Sequence, residues 1–237
     1  MSVQAADIRI LEANSIEPYA IQSREPKTPD SGAEVDIFNA IFDGTKYNPL
    51  FKFVPLFRVS KDVDEERADG SARMSESTAK GFLTDPYIKY SGCVVTLADK
   101  PDIKSFDELK KISLAAFQGA SGAFGKEFEK AVKDNKQYKE MNNQQSQIAL
   151  LTLERVDAIV ADLYITRYKQ KIISKEDGAP LKEVKCAFPL KNDPYQAFFK
   201  EKPFVDIFNA GLKKIISNGT YDKILQKYNM KNELTKK

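Results

Sequence analysis

Asp162 closes an apolar run, Ala158-Ile159-Val160-Ala161, and is followed by Leu163 to Ile172, which has helical spacing. A carboxylate at the end of a buried strand stands where α/β sheets collect their ligand groups. The same aspartate would also serve well as the N-cap of the following helix. Gln118-Gly119-Ala120-Ser121-Gly122 is a small-residue turn that leads into another helical pattern. Free N–H groups of Gly119, Ala120 and Ser121 at a helix start suit a carboxylate, and the Ser121 hydroxyl adds a donor. A plain turn with no ligand is the alternative. The chain has no His, the commonest general base and metal ligand. Cys93 and Cys186 alone cannot build a zinc site. Metal hydrolysis, Ser-His-Asp and Cys-His chemistry are therefore not expected, and no catalytic residue, metal or cofactor is assigned.

The elements that would position these groups alternate between strand-like and helix-like patterns, which argues for α/β layers. Ile8 to Leu11 reads as a first strand and Glu34 to Phe42 as a helix with Val35, Phe38, Ile41 and Phe42 on one stripe. Phe51 to Phe57 reads as a second strand, Ser60 to Ala68 as a helical connection, and Ser71 to Ser75 as a third strand. Tyr90 to Leu97 is a strong strand, Phe106 to Lys110 a short helix, and Ile112 to Phe117 another strand. One helix is expected to bury Phe124, Phe128, Ala131 and Val132. Gln144 to Leu153 reads as a helix, Asp157 to Val160 as a strand, and Val184 to Leu190 as a strand. Phe204 to Ile216 follows helical spacing, Asn218-Gly219 stops it, and Tyr221 to Tyr228 forms a last helix. The polar stretch Gln22 to Gly32 is expected at the surface.

The 237 residues suffice for one large or two modest domains. With 37 Lys and Arg against 34 Asp and Glu, the net charge is +3, and the charges are mixed along the chain. That balance gives no reason to expect a nucleic-acid partner. No apolar run approaches the roughly 18 to 20 residues that cross a bilayer. Val3-Gln4-Ala5 before Ala6-Asp7 resembles the tail of a small-x-small cleavage site, the mark of an exported chain whose signal peptide is gone. An ordinary cytosolic start reads the same residues equally well.

Five stretches in order resemble one known family. Thr84-Asp85-Pro86-Tyr87, Ser105-Phe106-Asp107-Glu108-Leu109 with Ile112-Ser113-Leu114-Ala115, Gln118-Gly119-Ala120-Ser121, Glu154 to Asp162, and Asn218-Gly219-Thr220-Tyr221-Asp222-Lys223-Ile224 are each similar to signatures of the type II amino-acid-binding proteins of ABC importers, solute-binding family 3. The resemblance implies a two-lobed α/β fold with a hinge of two crossing strands. It places lobe one at roughly residues 1–90 with 188–237 and lobe two at roughly 91–187, with hinge closure burying the solute between them.

On this resemblance Asp162 holds the solute's ammonium, and Gly119, Ala120 and Ser121 meet its carboxylate. Ser75, Glu76, Ser77 and Thr78 match a stretch whose hydroxyls and amides meet the ligand. The Arg that should follow is missing: Ala79-Lys80-Gly81 stands in its place, and the link to Thr84 is short. Arg73 or Lys80 could replace it, Arg73 being better suited to a bidentate grip, unless it is a solvated surface residue. Glu76, where a Thr is usual, would favour a cationic solute. Asn14, Glu17 and Tyr19 follow the first strand, where the family walls its side-chain pocket; Tyr19 either packs on the ligand or fills the core. Cys93 and Cys186 fall in or beside the crossing strands. A disulfide is geometrically possible there, but two buried free thiols are the expectation.

The resemblance implies a monomeric periplasmic protein that binds a small polar solute, an amino acid or related cationic or zwitterionic compound, and delivers it to an ABC transporter permease. A cyclohexadienyl-dehydratase-like enzyme on the same scaffold, using Glu76 or Glu17 as a cleft carboxylate, is one alternative. The sensor domain of a receptor is another. A transcription-regulator effector domain is disfavoured, since no helix-turn-helix precedes Ile8.

Overall fold

Ile8 and Ile10 point to one side of the first strand, β1 (Ala6–Ala13), and are buried with Leu11 and Ala13 from the other. A strand apolar on both faces must be covered on both, and helices cover it. The computed structural model describes residues 6–65, 67–74, 80–178, 180–190 and 194–234. After β1 come α1 (Ala33–Phe42), β2 (Tyr47–Val54), α2 (Leu56–Asp64), β3 (Gly70–Met74) and β4 (Phe82–Ile88). Next are β5 (Gly92–Leu97), α3 (Phe106–Leu109), β6 (Leu114–Phe117), α4 (Ala120–Ala123), α5 (Lys126–Lys133) and β7 (Tyr138–Met141). The remainder is α6 (Gln144–Thr152), β8 (Ala158–Asp162), α7 (Leu163–Asp177), β9 (Val184–Pro189), β10 (Tyr195–Phe199), α8 (Lys202–Ser217) and α9 (Thr220–Lys227).

The chain forms two compact units, Met1–Lys89 with Pro194–Lys237, and Tyr90–Asp193. In the first, the sheet order is β2-β1-β3-β10-β4. Strand β1 pairs parallel with β2 and β3, while β10 runs antiparallel to β3 and β4. Its core centres on Phe38 of α1, whose ring meets those of Tyr87, Phe199 and Phe208 at centroid distances of 5.5, 6.4 and 5.0 Å. Tyr19 is fully buried in this unit. In the second unit the order is β7-β6-β8-β5-β9, with β6 parallel to β7 and β8, and β5 antiparallel to β8 and β9.

Several expected elements shift, each for a local reason. The second strand stops at Val54 because Pro55 lacks an N–H to continue the ladder, and α2 begins just after it. Phe124 is not on the helix that carries Phe128, Ala131 and Val132: α4 ends at Ala123 and α5 starts at Lys126, because Gly125 takes φ +87°, outside the helical region. Strands β4, β7 and β10 had no clear signal. Strand β4 carries Pro86, tolerated because it lies at the sheet edge. Cys93 and Cys186 are not free thiols: they form a disulfide between β5 and β9.

Candidate functional site

In each unit three mutually parallel strands end on the same side of the sheet, and Asn14, Arg73, Gly119 and Asp162 lie at or just beyond those ends. In the second unit β6 leads to Gly119–Ser121, β7 to Asn142–Gln145, and β8 ends on Asp162. An open cavity of about 550 Å³ lies beside Asn142, Asn143, Gln144, Gln145 and Lys169.

Asp162 does act as the cap of α7. Its Oδ1 accepts the Tyr164 and Ile165 N–H groups at 2.8 and 2.9 Å, and its Oδ2 accepts the Ser91 N–H at 2.6 Å. Three backbone amides therefore converge on one nearly buried carboxylate and fix its direction.

The turn after β6 departs from expectation. Its N–H groups are not free: Gly119 donates to Glu140 Oε2 at 2.7 Å, and Ser121 donates to Glu140 Oε1 at 2.8 Å. The Tyr138 hydroxyl adds a third donor to Oε1 at 2.8 Å. Gly119 sits at φ +85°, a left-handed conformation that glycine adopts without strain. The amide bonds from Ser121 and Gly119 hold the Glu140 carboxyl down to about 2, so it is ionised at neutral pH. Ala120 is buried, and α4 is a single turn. The carboxylate at this turn is the protein's own.

In the first unit, β1 leads to Asn14, Glu17 and Tyr19, and β3 carries Arg73. Arg73 is not a solvated surface residue. Its side chain is 10% exposed and is held by Glu12, through both Nε and Nη2, and by Glu34, whose Oε2 lies 3.3 Å from Nε. Nη2 also donates to the Ala13 carbonyl at 3.2 Å. The Tyr87 hydroxyl lies 2.9 Å from Glu34 Oε2. Two buried carboxylates face one guanidinium, and Glu12 Oε2 is buried without a hydrogen-bond partner among the described residues. Burial first, then the Glu34 charge, pushes Glu12 up to about 8 against the pull of Arg73.

Of the other candidates, Tyr19 fills the core, Asn14 is exposed at φ +51°, and Glu17 is half-buried with Ser15 Oγ 3.3 Å from its carboxylate. Lys80 is exposed. Ser75, Glu76, Ser77 and Thr78 lie outside the described residues.

Three acids beside these groups escaped the sequence reading. Glu34 shares the α1 stripe with Phe38, and Glu12 follows Ile8 and Ile10 on one face of β1. Both positions announce a buried acid to a reader who asks what an apolar face does with a charge. Glu140 carried no such mark, since Tyr138-Lys139-Glu140-Met141 has too little apolar pattern to stand out as a strand.

The family model for bacterial extracellular solute-binding proteins, family 3, matches residues 8–231. The chain belongs to that family. An arginine-binding periplasmic protein of Mannheimia haemolytica is 26% identical over 241 residues, which cover 96% of this chain and 93% of that one. Among solved structures, the second substrate-binding domain of GlnP from Lactococcus lactis, in an open conformation, superposes with a TM-score of 0.74 at 23% identity, covering 95% of this chain and 96% of that one. A histidine kinase sensor domain with similarity to periplasmic binding proteins superposes with a TM-score of 0.66 at 15% identity, covering 96% and 99%. This family-3 solute-binding protein thus has the two-lobed α/β fold of periplasmic binding proteins, a fold that a sensor domain also carries.

Proposed function

We propose that this solute-binding protein captures a small nitrogen-bearing cation outside the cytoplasmic membrane and passes it to an ABC importer, without chemical change to the solute. The observation that carries this reading is Asp162, a carboxylate at the C-terminal end of β8 whose direction three backbone amides fix. A prepositioned acid pays little ordering cost when it meets an ammonium or guanidinium. Asp162 thus serves both as cap and as solute contact. The likeness to an arginine-binding relative supports a cationic guest. The Cys93–Cys186 disulfide is the kind of bond that persists in an oxidising compartment, which agrees with a periplasmic location.

A thermal-shift screen against amino acids, amines and guanidinium compounds tests the reading, because a solute that binds only the native state raises its melting temperature. A cation should give the largest shift in the wild type, and Asp162→Asn should lose it. An equal shift in that variant removes Asp162 from the site.

A further inference from the structure

An α-amino acid brings two charges to its receptor, and a protein that captures one needs a home for the carboxylate. The resemblance offers two such homes, an Arg after the hydroxyl-rich stretch and the amides of the turn after β6. Neither is open here. The Arg is replaced by Ala79-Lys80-Gly81, where the exposed Lys80 offers a point charge but no bidentate fork, and the nearest arginine, Arg73, is buried with its guanidinium held by Glu12 and Glu34. The amides of Gly119 and Ser121 both donate to Glu140, at 2.7 and 2.8 Å. Glu140 therefore occupies the position that a solute carboxylate would take, and it holds that position with a full negative charge.

We infer that the solute carries a cationic nitrogen but no carboxylate beside it: an amine or guanidinium compound rather than an α-amino acid. This rests on the solute-capture reading above and narrows its substrate class. The physical basis is selection by repulsion as well as attraction. A bound amino acid would have to bring its carboxylate against the ionised Glu140 or strip that side chain of its three donors, and either route weakens binding. A cation without a carboxylate meets favourable charge from Glu140 on β7 and from Asp162 at the end of β8, the strands that flank β6. Glu140 is thus a specificity-determining residue that rejects the carboxylated relative of an acceptable guest.

Calorimetric titration with matched pairs that differ only by the carboxylate tests this: agmatine against arginine, putrescine against ornithine, cadaverine against lysine. In at least one pair the decarboxylated member should bind tenfold or more tightly than its amino acid. An amino acid that binds as tightly as its partner overturns the inference and leaves solute capture standing. So does binding confined to neutral or acidic amino acids. Absence of binding by every compound overturns both. Glu140→Ala supplies the second arm. The side chain is exposed, so the variant should fold, as checked by circular dichroism, and the Gly119 and Ser121 amides become available. The preference within the pair should then shrink at least tenfold, mainly through tighter binding of the amino acid. An unchanged preference shows that Glu140 does not set it.

Discussion

The Ser91 N–H donates to Asp162 Oδ2 at 2.6 Å, tying the end of β8 to the residue just before β5. Oδ1 of the same carboxylate caps α7. Removing it should therefore be felt in stability as well as in binding. Asp162→Ala should lower stability by roughly 1–3 kcal/mol, combining a lost cap with an orphaned Ser91 amide. Asp162→Asn keeps one acceptor for the α7 amides but sets its NH2 group against the Ser91 N–H, so it should recover only part of that loss. Urea denaturation of both variants measures the difference. Equal losses would mean that an amide oxygen does not replace the carboxylate as the cap of α7.

The disulfide closes a loop with a sequence separation of 93 residues between β5 and β9. Cys93→Ala with Cys186→Ala should destabilise the protein by about 2–4 kcal/mol, chiefly by loosening the unfolded chain. Cys93 is 1% exposed and Cys186 half-buried, so reductant should cleave the disulfide far more slowly in the folded protein than once denaturant opens the second unit. Thiol counting with and without denaturant checks this. Rapid reduction of the folded protein would contradict it.

Glu12 gives stability a pH dependence of definite sign. Its folded value near 8 lies above the usual 4.5, so between those values the unfolded chain binds fewer protons than the folded one. Stability from this group accordingly falls as pH rises from about 4.5 towards 8, and levels off beyond. Glu12→Gln, which mimics the protonated acid, should flatten that slope. Melting temperatures of wild type and variant across this range test it; parallel curves would show that Glu12 is already ionised at neutral pH.

Much of this architecture was legible in the chain and some was not, for physical reasons. Val35, Phe38, Ile41 and Phe42 reveal α1 because a helix packed on one side must repeat its apolar residues at helical spacing. The same logic found α8 and α9. It failed for β7, a four-residue edge strand with exposed Lys139 and Glu140, whose pattern is nearly that of a loop. With β7 hidden, the partner of the Gly119 and Ser121 amides was hidden too. Whether Arg73 is solvated or buried stayed open in the sequence because it depends on acids remote from it, here Glu12 and Glu34. Pairing of the two cysteines likewise needed the β5–β9 register, which no local pattern reveals.

At Gly211 α8 packs tightly against α1. A Cβ there would lie 2.6 Å from the Ile41 carbonyl oxygen, so Gly211→Ala must push the helices apart, at about 1–3 kcal/mol. Gly122→Ala, where a Cβ meets nothing within 4 Å, is the matching control and should be neutral or slightly stabilising. Denaturation midpoints for the pair separate tight packing from a general intolerance of alanine.

Titration of the purified wild-type protein with small cationic amines, followed by the heat of binding, bears most directly on whether this chain is a solute receptor. The expected result is a saturable one-to-one isotherm for at least one amine or guanidinium compound, abolished by Asp162→Asn. Linear, dilution-like heats for every compound in the wild type, at millimolar concentrations, would contradict it.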